Sequence, residues 1–598
     1  MYRIIHVAVL ALSLLLQLFP IHAENDSFTC GFSYVGTHDK NAMQNEKYPF
    51  QNNHSIHLTG WKNDLVYAKI VIEASEEMEV SISHGAFKNE TDTLNDSQIE
   101  YGLLEEANAS LGIGYDASIP HVSIPEIITD TKEFSIPTNQ TKYVWIRITL
   151  PNDQKEGVYK GCFIIQGNSQ KEELNVVVSV LPYTLENIED EYSINLWQYP
   201  FSSLRYYDVL QNEEAFSKKH LDVLKEELKL YKEAGGNSIT VTVLDEAWGH
   251  QTYDDYPSMV DWIRNPDYSI TFDYSKFDAW VNLCMECGID ARIDTFSILP
   301  FDNAVTYVFE DGSRVRYPMR VGSDEWKDVW TYFLTTYIEH LESKGWFEKT
   351  FIFIDEREMN DVIEAIQLIK SIKNSKGESL KIASAINRVP NNESIYDEVD
   401  YLSIAIAATP HQDPSFERFI QHRHELGLET TLYNCSTNYP NAFTISEPDE
   451  SIWTMEYMGI NQFTGYLRWA LNAWNENPYQ TLDYQHFEAG DIFLIYPDYK
   501  DATSPKPRRT IRLDMIIYGL RNSMKYQYLK ENLPSSLKSQ FEKEFEEMDR
   551  SYGYFNSYGS MVGSEQASIT ISEEVLKQES LLNKYSRLLK LKKIMEGQ

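Results

Sequence analysis

The sequence has 598 residues, of which 42% are hydrophobic and 13% are aromatic. This content is enough for large hydrophobic cores and excludes a chain that is disordered throughout. The 90 acidic residues outnumber the 53 basic ones and give a net charge of -37. Such a negative field repels nucleic acid and anionic membranes, so we expect neither as a partner.

Residues 1–23 have the layout of a cleavable secretory signal. Arg3 supplies the positive start, an apolar run follows, and a small-residue exit ends at Ala23. The run is shorter than the ~20 residues that a membrane-spanning helix needs, and no later stretch reads as an anchor. We therefore expect an exported protein, either secreted or associated with the cell envelope.

Residues 24–186 show the alternation of apolar and polar residues that is typical of β-strands. In "YVWIRITLP", apolar residues at even positions alternate with Trp145 and Arg147, as in a half-buried strand. The turn "NDQKEG" and two further strand patterns follow, without an intervening amphipathic helix. The segment is predicted to be an antiparallel β-sandwich.

Residues 187–530 alternate short apolar strands with helices, which is typical of parallel βα units. One helix places Leu221, Leu224 and Leu228 on a single face, and another begins after Ser323, a credible N-cap. Eight strand candidates over roughly 290 residues predict a (β/α)8 barrel. The candidates are "SINLWQYPF", "NSITVTVLDEAW", "IDARIDTFSIL", "TFIFIDE", "KIASAIN", "YLSIAIA", "TTLYNCS" and "GYLRWALNAW".

Residues 531–598 are predicted to be a helical, surface-like extension without recognisable chemistry. Cys284 and Cys287 form a lone CxxC near the end of a helix, a pattern more typical of packed thiols than of a metal site. Because no His/Cys cluster has metal-ligand spacing, we expect an enzyme without a cofactor.

The fourth barrel strand ends in two adjacent carboxylates, Asp355 and Glu356. Active sites of (β/α)8 enzymes lie at the C-terminal ends of the strands, so this pair is predicted to be catalytic. A glycosidase of the usual kind has two carboxyl groups about 5 to 9.5 Å apart, on either side of the bond. The seventh strand, "TTLYNCS", supplies no such acid.

Adjacent acids instead fit substrate-assisted hydrolysis, in which the sugar's own acetamido carbonyl attacks the anomeric carbon. One acid protonates the leaving oxygen, and its neighbour holds the acetamide N–H and stabilises the developing charge. A second pair, Asp245 and Glu246, ends the second strand. It is a rival candidate for the dyad, a binder of substrate hydroxyls or a helix-capping pair.

Aromatic residues near the predicted strand ends are suited to binding sugar, because a ring packs well against the C–H face of a pyranose. For each of them, a role in the core or in anchoring a loop is about as common as a role in sugar binding. Trp469 lies deeper in its strand and is expected in the core. The predicted substrate-binding residues are Trp197, Tyr199, Trp248, Asp294, Tyr433, Asn472 and Trp474.

The order of several blocks resembles glycoside hydrolase family 123 over most of the mature chain. These blocks include "HLTGWKNDLVYAKIVIEA", "VWIRITLPNDQKEGVYKGCF", "FIFIDE", "TLYNCSTNYPNAF" and "FTGYLRWALNAW". The resemblance implies a retaining β-N-acetylgalactosaminidase that removes terminal sugars from glycolipid or glycoprotein glycans. Asp355 would then be the acetamido stabiliser and Glu356 the acid/base. Two alternatives are hydrolysis of another acetamido sugar, such as β-N-acetylglucosamine, and a non-catalytic glycan-binding surface protein.

Overall fold

The computed structural model describes residues 27–41, 46–47, 53–112, 120–388, 393–409, 413–436, 439–546 and 564–595. The expected export signal lies outside these described residues. Two five-stranded sheets are followed by an eight-stranded parallel barrel and C-terminal helices. The fold class predicted from the sequence is therefore confirmed.

The two N-terminal sheets form the sandwich. Their strands are β1 (Phe28–Ser33), β2 (Ser55–Lys62), β3 (Asp64–Ala74), β4 (Met78–His84), β5 (Ile99–Ser110), β6 (His121–Ile128), β7 (Glu133–Ile136), β8 (Thr141–Leu150), β9 (Gly157–Gly167) and β10 (Gln170–Thr184). One sheet has the strand order β1-β3-β8-β5-β6 and the other β2-β10-β9-β4-β7. Every ladder within them is antiparallel except that of β2 with β10, which is parallel.

Strand β8 packs against the sandwich core on one face and against the barrel on the other. Its even-numbered apolar residues enter the core between the two sheets. The alternate residues Trp145 and Arg147 are also buried, at 1% and 2% exposure. Trp145 Nε1 donates a 2.8 Å hydrogen bond to Asp514 of the barrel's last helix. The expectation of a half-buried strand is therefore wrong, because the barrel covers the face that the pattern assigned to solvent.

The barrel strands lie side by side in parallel register, and a bridge between Ile194 and Gly236 brings the first strand to the second. These strands are β11 (Ser193–Leu196), β12 (Ser238–Thr242), β15 (Arg292–Phe296), β18 (Thr350–Ile354), β19 (Lys381–Ile386), β20 (Tyr401–Ala405), β21 (Glu429–Tyr433) and β22 (Gly465–Arg468). Insertions after the second and third of them form a further sheet of β13 (Asp261–Arg264), β14 (Ile270–Asp273), β16 (Ala304–Phe309) and β17 (Arg314–Pro318).

Several helices begin at a side-chain cap. The Ser323 side chain accepts a hydrogen bond from Trp326 N, as its position before a helical pattern predicted. The fifth barrel unit is irregular, with a helix of only four residues. The helices are α1 (Ile188–Glu191), α2 (Pro200–Tyr206), α3 (Lys218–Glu233), α4 (Ser275–Glu286), α5 (Asp324–Lys344), α6 (Met359–Ser371), α7 (Glu393–Tyr396), α8 (Pro414–Glu425), α9 (Pro448–Ile460), α10 (Ile511–Asn532), α11 (Ser535–Glu546) and α12 (Ser564–Met595).

The C-terminal helix α12 packs against α9 and α10. Ile571, Val575 and Tyr585 are fully buried there. The extension is thus helical as predicted, but it is not merely a surface feature, because one of its faces completes the hydrophobic core. Among the described helices, none has the length and apolar character required to cross a membrane.

Candidate active site

The C-terminal ends of the eight barrel strands meet at one rim. The residues directly after the strands are, in chain order, Trp197, Val243, Ser297, Asp355, Asn387, Ile406, Asn434 and Trp469. Asp355 is the only acid in that set, and Glu356 follows it. The fourth barrel strand therefore delivers a carboxylate pair, and none of the other seven barrel strands is directly followed by an acid.

The Glu356 carboxyl group is held by residues from two other strands. Asn387 Nδ2, just after β19, donates a 2.7 Å hydrogen bond to Oε2. Tyr433, the last residue of β21, donates its hydroxyl to Oε1. The Cys435 Sγ lies 3.7 Å from the same oxygen. Because both oxygens have partners, the carboxyl group is fixed in orientation, as an acid/base catalyst requires.

The Asp355 carboxyl group lies against its neighbour's backbone. Its Oδ1 accepts a 2.8 Å hydrogen bond from Glu356 N. Burial, reinforced by the negative charge of Glu356, raises the pKa of Asp355 to about 7. Interacting carboxyls titrate as a unit, so this pair retains one proton up to near-neutral pH. One acid and one anion are then available together.

Three of the predicted aromatic residues form a packed layer at the rim. The ring centroids of Trp197 and Trp248 lie 5.5 Å apart, and those of Tyr199 and Trp248 lie 5.3 Å apart. Trp197 also packs on Phe296 and Phe353, which point into the barrel, at 4.7 and 5.5 Å. The predicted residues are at most 3% exposed. They pack on one another and on the barrel interior, and any direct sugar contact by them stays a prediction.

Trp469 lies at the rim, so the expectation that it is a core residue is wrong. Its ring is partly exposed. Its Nε1 donates a 2.6 Å hydrogen bond to the Tyr199 hydroxyl, and the ring packs on Phe487 at 4.5 Å. Strand β22 ends at Arg468, six residues before the end of the pattern "GYLRWALNAW". A fixed, partly exposed indole offers a face on which a sugar can pack.

Comparison with known proteins identifies the family. The model described as "Glycoside hydrolase 123, catalytic domain" matches residues 197–529, and the "Glycoside hydrolase 123 N-terminal domain" matches residues 35–167. The chain belongs to glycoside hydrolase family 123. A family 123 glycoside hydrolase from Clostridium perfringens, studied for glycolipid glycan hydrolysis, is 31% identical, with a TM-score of 0.87. The match covers 94% of this chain and 100% of that one.

Two further solved structures resemble this family 123 hydrolase only weakly. A calcium-binding mutant of β-glucuronidase 2 from Bacteroides uniformis has a TM-score of 0.28 and 10% identity, covering 84% of this chain and 49% of that one. A β-glucuronidase from Parabacteroides merdae has a TM-score of 0.27 and 10% identity, covering 77% and 50%. No curated protein matches the sequence. The family assignment makes the protein a glycoside hydrolase that acts on glycans.

Asp294 was predicted at the rim of this hydrolase, but the structure places it inside the barrel. Strand β15 continues for two residues beyond it, to Phe296. Its carboxylate pairs with Arg292 Nε at 2.8 Å and accepts a 2.7 Å hydrogen bond from Asn195 Nδ2. The side chain is 0% exposed. Asp294 therefore belongs to a buried ion pair and does not reach the substrate.

Asn472 and Trp474 are also held in the interior. Asn472 Oδ1 accepts a 2.7 Å hydrogen bond from Tyr199 N, while its Nδ2 donates to Glu227 at 2.5 Å. Trp474 is fully buried and donates from Nε1 to the Ile495 carbonyl at 2.7 Å. Both side chains bind other parts of the protein, and a contact of either with sugar stays a prediction. The missed residue Asn387 could have been found, because it is the last residue of the pattern "KIASAIN".

The rival carboxylate pair shapes the loop after β12. Asp245 Oδ1 accepts hydrogen bonds from Arg314 Nη2 at 2.7 Å and from Ser258 N at 2.8 Å. Glu246 has a left-handed backbone, with φ of 51°, and accepts from Tyr256 N at 2.8 Å. These bonds give both acids a structural role in the loop, whereas Asp355 and Glu356 form the candidate catalytic dyad.

One group among the described residues brings metal-ligand atoms within 4.8 Å of one another, namely Glu246, His250 and Asp255. Glu246 Oε2 already accepts a 3.1 Å hydrogen bond from His250 N, and its Oε1 is bonded as described above. His250 and Asp255 are exposed. The Glu246 carboxylate is therefore bonded within the loop, as expected for a residue that stabilises a turn.

Proposed function

We propose that the protein is an exo-acting, retaining β-N-acetylgalactosaminidase in which the substrate's acetamido group is the nucleophile. The observation that supports this most directly is the placement of Asp355 and Glu356 side by side after one strand. Carboxyl groups that flank a glycosidic bond stand about 5 Å or more apart. Adjacent residues approach the sugar from one side, so the nucleophile on the opposite face has to come from the substrate.

In the proposed first step, the Glu356 carboxylic acid gives its proton to the glycosidic oxygen. The acetamide carbonyl oxygen forms a bond to the anomeric carbon as the bond to the leaving group breaks. The Asp355 carboxylate accepts a hydrogen bond from the acetamide N–H and stabilises the positive charge of the oxazolinium ion. Water then attacks the anomeric carbon while Glu356 takes its proton, which regenerates the acetamide and gives a product of retained configuration.

The shared proton of the dyad has to lie on Glu356 for this step. In the free enzyme the pKa of Asp355 is raised to about 7, mainly by burial. An acetamide N–H that donates to Asp355 favours its charged form. Substrate binding would thereby move the proton to Glu356, so the correct substrate completes the acid/anion arrangement.

The sugar itself is inferred from two sources. The block resemblance implies N-acetylgalactosamine, and the similar Clostridium perfringens enzyme was studied for glycolipid glycan hydrolysis. The first source supports a terminal β-linked acetamido sugar, and the second supports a glycolipid glycan as the molecule that carries it. We expect Tyr433 and Trp469 to line the sugar site, since one bonds Glu356 and the other presents a partly exposed ring beside Tyr199.

Hydrolysis of para-nitrophenyl glycosides tests the proposal. We expect turnover of the β-N-acetylgalactosaminide well above that of the β-N-acetylglucosaminide, and none of the β-galactoside. The proton NMR spectrum should show the β-anomer first, and a galacto-configured thiazoline should inhibit. Glu356→Gln serves as the inactive control. Equal turnover of the β-galactoside, or an initial α-anomer, would contradict the mechanism.

We further propose that residues 1–23 direct export. The positive residue, apolar run and small-residue exit support this. N-terminal sequencing of the secreted or envelope fraction should find a chain that begins at Glu24. A cytosolic chain that begins at Met1 would show that the segment is not a signal.

A further inference from the structure

Two arginines lie beside the catalytic acid without a carboxylate partner. Arg357 directly follows Glu356, and Arg388 directly follows Asn387, whose Nδ2 donates to Glu356 at 2.7 Å. Among the described residues, no carboxylate forms an ion pair with either guanidinium. The chain as a whole has 90 acidic and 53 basic residues. Two such cations therefore lie next to the dyad in a chain of strongly negative net charge.

The Arg357 guanidinium is held in place by neutral groups. Its Nη1 donates to the Phe301 carbonyl at 3.3 Å, and its Nη2 donates to Asn303 Oδ1 at 3.1 Å. The guanidinium carbon lies 5.3 Å from the centre of the Phe301 ring. These contacts orient the guanidinium, and neither of these hydrogen bonds is to a carboxylate. Among the described residues, its buried Nε has no hydrogen-bond partner.

Arg388 extends from the neighbouring strand end toward the same place. Its Nη2 donates to the Arg357 carbonyl at 3.3 Å, and its side chain is exposed. That carbonyl belongs to the residue after Glu356, so the second positive charge reaches the chain segment that carries the acid. With one hydrogen bond to the described residues and an exposed side chain, Arg388 has further donors available.

The position of these charges relative to the reaction suggests their role. A general acid has to reach the glycosidic oxygen, so the leaving group lies next to Glu356 on the solvent side. We propose that Arg357 and Arg388 form a subsite for an anionic substituent, a carboxylate or a sulfate ester, on the leaving-group sugar. Guanidinium groups suit both oxyanions, because their paired N–H donors match two oxygens. This inference rests on the proposed role of Glu356 as the acid.

Matched disaccharides test the subsite. Each carries β-linked N-acetylgalactosamine on the methyl glycoside of galactose, of galactose sulfate or of galacturonic acid. We expect kcat/KM for at least one anionic substrate to exceed that for the neutral one by about tenfold, as expected for one charge-assisted hydrogen bond. The preference should shrink at high salt, because the site is solvent-accessible. The sulfate and carboxylate arms show which oxyanion is preferred.

Arg388→Gln should bring the ratio of anionic to neutral kcat/KM close to one. The matched control is Arg418→Gln, since Arg418 is exposed on the outer helix α8 and donates to Ser415 Oγ at 3.0 Å. This control should keep the parent ratio. Arg357→Lys, which retains the charge but loses the paired donors, should give an intermediate ratio.

The outcomes separate the two proposals. If the para-nitrophenyl β-N-acetylgalactosaminide is not cleaved, the proposed function fails and the subsite fails with it. If that glycoside is cleaved but the anionic disaccharides are not preferred, only the subsite is overturned. The same holds if the preference survives unchanged in Arg388→Gln, or if none of the disaccharides is a substrate.

Discussion

Replacing Tyr433 by Phe tests how the catalytic acid is oriented. The Tyr433 side chain is 7% exposed, and its hydroxyl donates to Glu356 Oε1. Phenylalanine keeps the ring and removes only the hydroxyl. Glu356 then retains Asn387, at 2.7 Å from Oε2, and the weaker Cys435 contact, at 3.7 Å from Oε1. The substitution therefore loosens one of the two anchored oxygens and leaves the other in place.

The size of the effect follows from the kind of bond that is lost. A hydrogen bond to a charged group contributes about 1.5–3 kcal/mol. Since about 1.4 kcal/mol corresponds to tenfold in rate, kcat/KM should fall by about 10- to 150-fold. We expect the lower part of this range, because Asn387 continues to hold Oε2.

The assay compares two leaving groups on the same acetamido sugar. A methylumbelliferyl group needs help from the acid, whereas a dinitrophenyl group departs without it. Tyr433→Phe should therefore slow the first substrate more than the second. Tyr332→Phe is the control, since that exposed hydroxyl donates to the Ile270 carbonyl at 3.0 Å on the outside of the barrel. Equal losses on both substrates, or a Tyr433→Phe enzyme with parent activity, would refute the reasoning.

Four further predictions follow from other contacts. The pKa of Asp355 is raised to about 7, so the dyad loses its remaining proton above that pH; kcat/KM should fall as pH rises through about 7, and a plateau to high pH would contradict this. Asp355→Asn should lower kcat about 100- to 1,000-fold on acetamido sugars and weaken thiazoline inhibition, as measured by steady-state kinetics. Trp469→Ala should raise KM about 2- to 10-fold with a smaller change in kcat, consistent with an aromatic contact of about 0.5–1.5 kcal/mol; an unchanged KM would exclude a sugar contact. Glu126→Ala should lower the free energy of unfolding by about 3–5 kcal/mol in urea denaturation. The buried Arg512 Nε donates a 2.8 Å hydrogen bond to Glu126, and the substitution leaves this guanidinium without its carboxylate partner.

The pattern of the sequence predicted both large units of the fold because each depends on local periodicity. Alternation with a period of two requires strands, and short apolar runs between helical stripes require parallel βα units. The dyad was predictable for a related reason. A strand that ends in two acids can only deliver them to the C-terminal rim of the barrel.

The partners of those acids were set by tertiary contacts. Tyr433 and Asn387 come from the seventh and fifth strands, and their side chains meet at Glu356 only because the sheet curves into a ring. Strand ends were the least predictable feature of the sequence. Ending β22 at Arg468 brings Trp469 to the rim, and extending β15 to Phe296 keeps the Asp294 carboxylate inside.

The sequence by itself thus determined which segments become strands and which acids reach the rim, because these properties are carried by neighbouring residues. Only the tertiary structure decided which faces are covered and which side chains meet. Trp145 shows this most directly, because its place in the alternating pattern indicates solvent, whereas the packed barrel supplies Asp514 as its buried partner. Contacts between residues far apart in the chain depend on how the units pack, and local periodicity carries no record of that packing.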